Sequence, residues 1–419
     1  MAKLVIDGGR RLEGTIHIHG AKNSALPILA ATLLANGVCE VSNCPALSDV
    51  RAAAAILRHL GCRTAQSGSV LTVDATAPCR NDIPDTLMRE MRSSIVFLGA
   101  IVARMGEAEL SFPGGCELGP RPIDLHLSAL RQLGVHIDED GGRLRCRTNG
   151  RLRGSTITLA FPSVGATENV ILAAVTAEGV TTVCNAAREP EICDLCAFLT
   201  ACGAHIVGAG EGTITIEGVP SLHGCAHRVI PDRIETVTYL GAAAVTGGSL
   251  CLKEACPSHL QAVLPLLEEM GCHLTVSERE LCIRVPSALR RVKRVRTLQY
   301  PGFPTDAQAL LMAMACVANG TSVFVETIFQ SRYKHVGELM RMGARIKVEG
   351  RVAIVEGVPR LSGASVDCTD LRGGAALVLA GLAAEGKTEL RELHHLERGY
   401  EALAEDLTAA GASLILEEE

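Results

Sequence analysis

The chain has 419 residues with 40 Lys+Arg against 46 Asp+Glu, a formal net charge of −6, and 47% of its residues are hydrophobic while only 3% are aromatic. At a typical ~150 residues per domain the length suits two or three packed domains, which excludes disorder for most of the chain. The mild negative charge and the absence of Trp argue against binding nucleic-acid backbones or stacked bases, and no apolar run reaches the ~18 residues needed to span a bilayer.

The opening Met1-Ala-Lys-Leu-Val-Ile-Asp-Gly-Gly alternates as a short strand and carries no apolar leader, so the sequence predicts a cytoplasmic protein. The 17 Cys, an odd number scattered among Ala and Leu, fit reduced thiols acting as small core residues. Next comes Gly20-Ala-Lys22-Asn23-Ser24-Ala-Leu-Pro27, a Gly-bounded polar turn leading into an apolar helix. Either Asn23 or Ser24 caps that helix with Lys22 in water, or Lys22 and Asn23 join the free backbone N–H groups as an anion site.

A Gly after an apolar helix recurs at Gly61, Gly134, Gly203, Gly271, Gly343 and Gly411, a period of about 70 residues. Leu lies four residues earlier in every copy: Leu57, Leu130, Leu199, Leu267, Leu339 and Leu407. The residue just before the Gly is Leu60, Leu133, Cys202, Met270, Met342 or Ala410, so both positions share one helix face and the Gly is the expected left-handed stop. Each copy adds a strand before its helix and a β-hairpin after the Gly, as in Gly212-Thr-Ile-Thr-Ile-Glu-Gly218 and Val352-Ala-Ile-Val-Glu-Gly357. The class is α/β, and six copies divide naturally into two groups of three. Pro231 within His227-Arg-Val-Ile-Pro-Asp-Arg-Ile-Glu235 marks one crossing between the groups, and a second is expected near Gly20-Ala-Lys22.

The segment Pro113-Gly-Gly-Cys116-Glu-Leu-Gly-Pro-Arg121-Pro-Ile-Asp124-Leu-His126 is too rich in Gly and Pro for regular structure and reads as a loop. Cys116 there is either one more small core thiol or a reactive thiol whose pKa is lowered by Arg121. In Phe303-Pro304-Thr305-Asp306, Thr305 or Asp306 caps the helix that follows, or Asp306 acts as a general base. Arg92, Arg332, Arg372 and Arg398 each adjoin or closely precede Ser, Gly or Tyr, the setting that a ligand with several anionic groups needs. Cys193-Asp-Leu-Cys196 has metal-ligand spacing but no second pair and reads as core, Gly208-Ala-Gly210-Glu-Gly212 reads as a hairpin turn, and His394-His395 flank a turn. No phosphate-loop, zinc-protease or dinucleotide fingerprint is present, so neither a metal nor a cofactor is expected.

Taken together, Lys22-Asn23, Arg92, the Cys116 to His126 loop, Ser163-Val-Gly-Ala-Thr167, Ala187-Arg-Glu-Pro-Glu191, Pro231-Asp-Arg-Ile-Glu-Thr236, Phe303-Pro-Thr-Asp306, Asp370-Leu-Arg372 and Arg398-Gly-Tyr400 resemble the UDP-N-acetylglucosamine 1-carboxyvinyltransferases, a family of enolpyruvyl transferases. The resemblance spans essentially the whole chain. It implies a two-domain inside-out α/β barrel of six βα repeats. One domain covers residues 22–229 with the Cys116 loop, the other residues 1–21 plus 230–419 with Asp306, Arg372 and Arg398, and a cleft lies between them. The implied reaction joins the 3-hydroxyl of UDP-N-acetylglucosamine to phosphoenolpyruvate with release of phosphate, the first committed step of peptidoglycan precursor synthesis.

The resemblance makes Cys116 the proton donor and Asp306 the base, with Lys22, Arg121 and Arg398 as the cations that offset developing charge and Arg92 and Arg372 beside them. Substrate contacts carry over to Lys22, Asn23, Arg92, Arg121, Pro122, Ile123, Asp124, Leu125, Phe161 to Val164 with Ser163 and Val164 among them, Asp306, Ile328, Arg332, Asp370, Arg372 and Arg398. Phe161-Pro162 stand where many relatives have Lys and a β-branched residue, which removes one side-chain contact to the nucleotide. Cys116, where some relatives have Asp, implies covalent inactivation by the epoxide fosfomycin. The two small-molecule substrates are the only partners implied, with no nucleic acid, membrane or obligate protein partner. The sister family acting on shikimate 3-phosphate, and a silent paralogue that only binds the nucleotide sugar, are the alternatives.

Overall fold

The computed structural model describes residues 2–91, 93–112 and 123–417. All six repeat glycines close their helices in the same way. Their φ angles lie between 93° and 101°, a region that a side chain disfavours. In each copy the Gly N–H donates to the carbonyl three residues back, and the next N–H reaches the carbonyl of the repeated Leu, as in Cys62 to Leu57 at 2.9 Å and Ala412 to Leu407 at 2.9 Å. This pair of bonds satisfies carbonyls that a helix end leaves unpaired. Leu57, Leu130, Leu199, Leu267, Leu339 and Leu407 are all 0% exposed, so the stop and the buried stripe coincide six times.

After each stop the chain turns into a strand of a four-stranded sheet, and the described residues contain six such sheets. Every one has the same order: an edge strand parallel to its neighbour, followed by two antiparallel steps. Five copies supply their own hairpin. The sixth has only Ser413–Glu417 and takes its partner from the start of the chain, with Leu4 opposite Leu416 on one side and Leu390 on the other. Similarly, Glu13–His17 is the parallel edge beside Ser249–Lys253, and Ala226–Arg228 is the edge beside Val38–Ser42.

Two compact units result. One holds residues up to His19 and from Pro231 onward, the other the described residues from Gly20 to Ile230. In the first, helices Arg233–Thr246, Thr305–Cys316 and Leu371–Ala383 each pack on the other two. In the second, Phe97–Met105 packs against both Lys22–Thr32 and Val164–Ala174. These central helices are apolar around most of their circumference, the pattern of helices surrounded by protein. Close approach has a local requirement at Gly241, where a Cβ would come within 2.7 Å of Leu379 and Met314.

At the crossings the two chain segments run side by side. Ala21 N–H donates to Ile230 O at 2.7 Å, and Asp232 N–H donates to His19 O at 2.8 Å. His19 in turn donates its backbone N–H to Glu235 Oε2 at 2.8 Å, and its Nδ1 lies 2.9 Å from Glu235 Oε1. The Glu235 hydrogen bond, against opposing burial, raises the His19 pKa from 6.5 to about 9. Burial pushes the Glu235 carboxyl above its ordinary value despite the His19 bond.

The expectation that the cysteines remain separate thiols is corrected at one place. Cys251 and Cys282 form a disulfide, because antiparallel pairing of Ser249–Lys253 with Glu280–Arg284 sets them directly opposite each other. Thirty-one residues separate the two in sequence, so no spacing motif announces the pair.

Two outcomes are expected. Leu339→Ala should lower the unfolding free energy in urea by about 2–5 kcal/mol, whereas Met340→Ala at the neighbouring position, 51% exposed, should change it by less than about 0.5 kcal/mol. The stability gap between wild type and His19→Gln should be widest near neutral pH. A folded pKa above the unfolded one stabilises fully below pH 6.5 and is lost as pH rises through about 9, while protonation of Glu235 narrows the gap again in acid. Urea curves between pH 4 and 10 measure both limbs.

Candidate active site

Asp306 sits in the first turn of the helix Thr305–Cys316, and two buried guanidinium groups face it. Arg332 NH2 donates to Asp306 Oδ1 at 2.8 Å, and Arg372 NH2 lies 3.7 Å from Oδ2. The side chains of Arg332 and Arg372 are only 3% and 4% exposed, against 28% for Asp306. Burying a cation is expensive unless an anion accompanies it, so Asp306 holds the two arginines in place while its own carboxylate stays partly exposed. Neither Thr305 nor Asp306 caps the helix. The cap position is Pro304, and the Thr305 hydroxyl donates instead to Glu326 Oε2 at 3.0 Å.

Glu326 organises this neighbourhood and is a residue that the sequence did not single out. It is 1% exposed, and its Oε1 accepts from the Thr297 hydroxyl at 3.0 Å, Ile328 N–H at 2.7 Å and Phe329 N–H at 3.1 Å. The only signal was a Glu directly after the buried strand Thr321–Val325. Arg332 is aimed by a second contact, with Nε and NH2 donating to Thr305 O at 3.2 and 3.0 Å.

Asp370 caps the helix Leu371–Ala383, accepting from Arg372 N–H and Gly373 N–H at 3.0 Å each. The cap leaves the Arg372 side chain free to point elsewhere. Its NH1 donates to Tyr400 Oη at 3.3 Å, and that hydroxyl lies 2.8 Å from Thr238 Oγ1. Arg398, half-buried, lies two residues before Tyr400 in the same turn. His335 is fully buried, and burial lowers its pKa to about 4, so it packs against this cluster as a neutral ring.

In the other unit Lys22 opens the helix Lys22–Thr32, and Ala21 occupies the cap position without a side-chain bond. Capping by Asn23 or Ser24 is therefore not realised. Lys22 is buried rather than in water, with Nζ 3.0 Å from Asp49 Oδ2. The Ser24 hydroxyl donates to Asp194, which also pairs with His227 Nε2 at 2.8 Å and accepts from Ile230 N–H at 3.2 Å. Asn23 remains half-buried on the first turn.

Two further helix starts meet in this unit. Asp124 and Leu125 begin the helix Asp124–Gln132 behind the buried Ile123, and Ser163 caps Val164–Ala174 by accepting from Ala166 N–H at 3.4 Å. The His126 ring lies against Gly165, where a Cβ would come within 2.9 Å of it. Asn169 fixes that ring, donating from Nδ2 to His126 Nδ1 at 2.8 Å while its Oδ1 accepts from Gly99 N–H at 2.6 Å. Nearby on the same helix, burial and then Glu191 and Glu189 push the Glu168 carboxyl up to about 8.

Asp306, Arg332, Arg372 and Asp370 thus form one cluster, Lys22 has its own buried pair, and Asp124, Leu125, Ser163 and Val164 share a third place. Ile328 is held by Glu326, and Phe161 is 38% exposed. Arg92, Cys116, Arg121 and Pro122 lie outside the described residues. Glu326→Ala leaves two hydroxyls and two backbone N–H groups without this acceptor, so a loss of about 2–4 kcal/mol in unfolding free energy is expected in urea titrations. A loss below about 0.5 kcal/mol would contradict the organising role.

The family model EPSP synthase (3-phosphoshikimate 1-carboxyvinyltransferase) matches residues 6–407. The chain is 51% identical over 415 residues to UDP-N-acetylglucosamine 1-carboxyvinyltransferase 2 of Caldanaerobacter subterraneus subsp. tengcongensis, covering 99% of both chains. It is 49% identical to UDP-N-acetylglucosamine 1-carboxyvinyltransferase 1 of Symbiobacterium thermophilum, over 98% of this chain and 94% of that one. Among solved structures, the enolpyruvyl transferase NikO from Streptomyces tendae superposes with a TM-score of 0.90 at 30% identity, covering 99% of this chain and 98% of that chain. An EPSP synthase from Acinetobacter baumannii shares the fold, with a TM-score of 0.78 at 18% identity and full coverage of both chains.

Proposed function

Since the chain belongs to the UDP-N-acetylglucosamine 1-carboxyvinyltransferases within the EPSP synthase family, we propose that it transfers the enolpyruvyl group of phosphoenolpyruvate to the 3-hydroxyl of UDP-N-acetylglucosamine. Addition forms a bond from the sugar oxygen to C2 of phosphoenolpyruvate, as the hydroxyl loses its proton and the methylene carbon gains one. Elimination then breaks the C2–O bond to phosphate, and the methyl carbon returns a proton to restore the vinyl group. An acid and a base must therefore act together.

The observation that carries this reading is the carboxylate of Asp306, held at a helix start by Arg332 at 2.8 Å and 28% exposed. A carboxylate so placed accepts the sugar proton, and Arg332 and Arg372 aim it. Cys116 is the proposed proton donor to the methylene carbon. Lys22, Arg121 and Arg398 offset the charge that moves toward the leaving phosphate, with Arg92 beside them. Asn23, Asp124, Leu125, Ser163, Val164 and Ile328 are proposed to position the nucleotide sugar. The work belongs to peptidoglycan precursor synthesis in the cytoplasm, on a fold of six βα repeats, and the epoxide fosfomycin is expected to alkylate Cys116.

Phosphate release from phosphoenolpyruvate tests the assignment. Release that requires UDP-N-acetylglucosamine supports it. Release with shikimate 3-phosphate would transfer the chain to the sister activity, and none with either acceptor would favour a silent binding protein. Asp306→Asn is expected to lower kcat by about 10²–10⁴-fold while changing the KM for phosphoenolpyruvate less than about tenfold. A loss confined to KM would remove Asp306 from the role of base.

A further inference from the structure

Three cysteines far apart in sequence converge in the unit that spans Gly20 to Ile230. Cys202 ends the helix Pro190–Ala201, Cys225 precedes the strand Ala226–Arg228, and Cys39 lies on the adjacent strand Val38–Ser42. Cys202 Sγ and Cys225 Sγ are 3.1 Å apart, about 1 Å beyond the ~2.05 Å length of a disulfide bond. The main chain is fixed on both sides of the pair. His223 N–H donates to Cys202 O at 2.9 Å, and Glu40 N–H donates to Cys225 O at 2.9 Å. Cys39 and Cys202 are buried, whereas Cys225 is half-buried and offers the one approach from solvent among the three.

We propose that Cys39, Cys202 and Cys225 form a peroxide-responsive thiol site in which Cys202 and Cys225 close into a disulfide. Hydrogen bonds from Cys202, and also from Cys225, lower the Cys39 pKa toward neutrality, while the Cys202 and Cys225 thiols are raised. The Cys39 thiolate takes the proton of Cys225, which leaves a thiolate at Cys225, on the open side. That sulfur attacks one oxygen of hydrogen peroxide, the O–O bond breaks, and the leaving hydroxide takes the proton from Cys39 to become water, which restores the Cys39 thiolate. Cys225 is then a sulfenic acid. Cys202 passes its proton to the Cys39 thiolate and attacks Cys225, so the S–S bond forms as the S–O bond breaks, and the leaving hydroxide takes that proton from Cys39 to depart as a second water. In sum, two thiols and one peroxide give one disulfide and two waters, with the sulfurs oxidised and the peroxide oxygens reduced.

The cross-link would tie the end of the Pro190–Ala201 helix to the segment leading to Ile230. The same helix already holds Ser24 and His227 through Asp194. The site thus adds a reducible covalent tie where only hydrogen bonds now act, and it makes no use of the residues assigned to the transfer reaction.

The test treats the intact protein with one to a few equivalents of hydrogen peroxide, alkylates with N-ethylmaleimide under denaturing conditions, and maps peptides by mass spectrometry with and without dithiothreitol. A dithiothreitol-sensitive peptide joining Cys202 to Cys225 is expected. Cys225→Ser should abolish it and leave Cys202 fully alkylated, and Cys39→Ala should slow its formation about tenfold. Cys202→Ala should instead trap Cys225 as a sulfenic acid that a dimedone probe captures, which separates loss of the partner from loss of the fold. Alkylation of both Cys202 and Cys225 after peroxide treatment, or a link from Cys225 to any other cysteine, would overturn the proposal.

Discussion

A helix surrounded by protein on every side has room for charge only at its ends, and that constraint arranges the rest of this molecule. The central helices Lys22–Thr32, Val164–Ala174, Arg233–Thr246, Thr305–Cys316 and Leu371–Ala383 bury nearly every side chain beyond their first turn. Lys22, Asp306 and Arg372 all occupy first turns, and Ser163, Asp232 and Asp370 cap their helices. A polar side chain one or two turns further along would need its own buried partner, as Asn169 does with His126 and Gly99. Charged side chains therefore gather toward the N-terminal end of the central helices, where unpaired backbone N–H groups already favour anions.

The same placement sets a balance of charge. Arg332 and Arg372 are more deeply buried than the carboxylate they share, and the buried carboxylates of Asp370 and Glu326 lie in the same cluster. Glu326 helps by holding Thr305, Ile328 and Phe329 rather than by neutralising an arginine. Lys22 differs, because Asp49 meets it at 3.0 Å inside the core. One unit thus holds guanidinium groups that share a partly exposed carboxylate, and the other keeps a buried ammonium paired to a buried carboxylate.

How far the sequence revealed this depends on the range of each interaction. The Leu and Gly of each repeat lie four residues apart and are fixed by bonds within one helix end, so all six copies were legible, and the enolpyruvyl transferase kinship followed from short motifs in order. Side-chain pairing was not. Lys22 to Asp49 spans 27 residues, Asp306 to Arg332 spans 26, and Cys251 to Cys282 spans 31, separations that only the sheet register and helix packing bring together. Capping failed as a guide at Asn23 and Thr305 for a related reason. Local propensity favours a cap, but Ser24 and Thr305 found buried carboxylates, Asp194 and Glu326, supplied by distant segments.

The strand Lys3–Asp7 is synthesised long before both of its neighbours, Lys387–Arg391 and Ser413–Glu417. Among the described residues, the unit from Gly20 to Ile230 takes every strand of its sheets from within those bounds. On the ribosome the described strands of that unit have all their partners once residue 230 has emerged, whereas Leu4, Val5 and Ile6 wait for Lys387–Arg391 and Ser413–Glu417. The order of translation therefore imposes an order of maturation on two units built from the same repeat, and the unit bearing Asp306 is finished second.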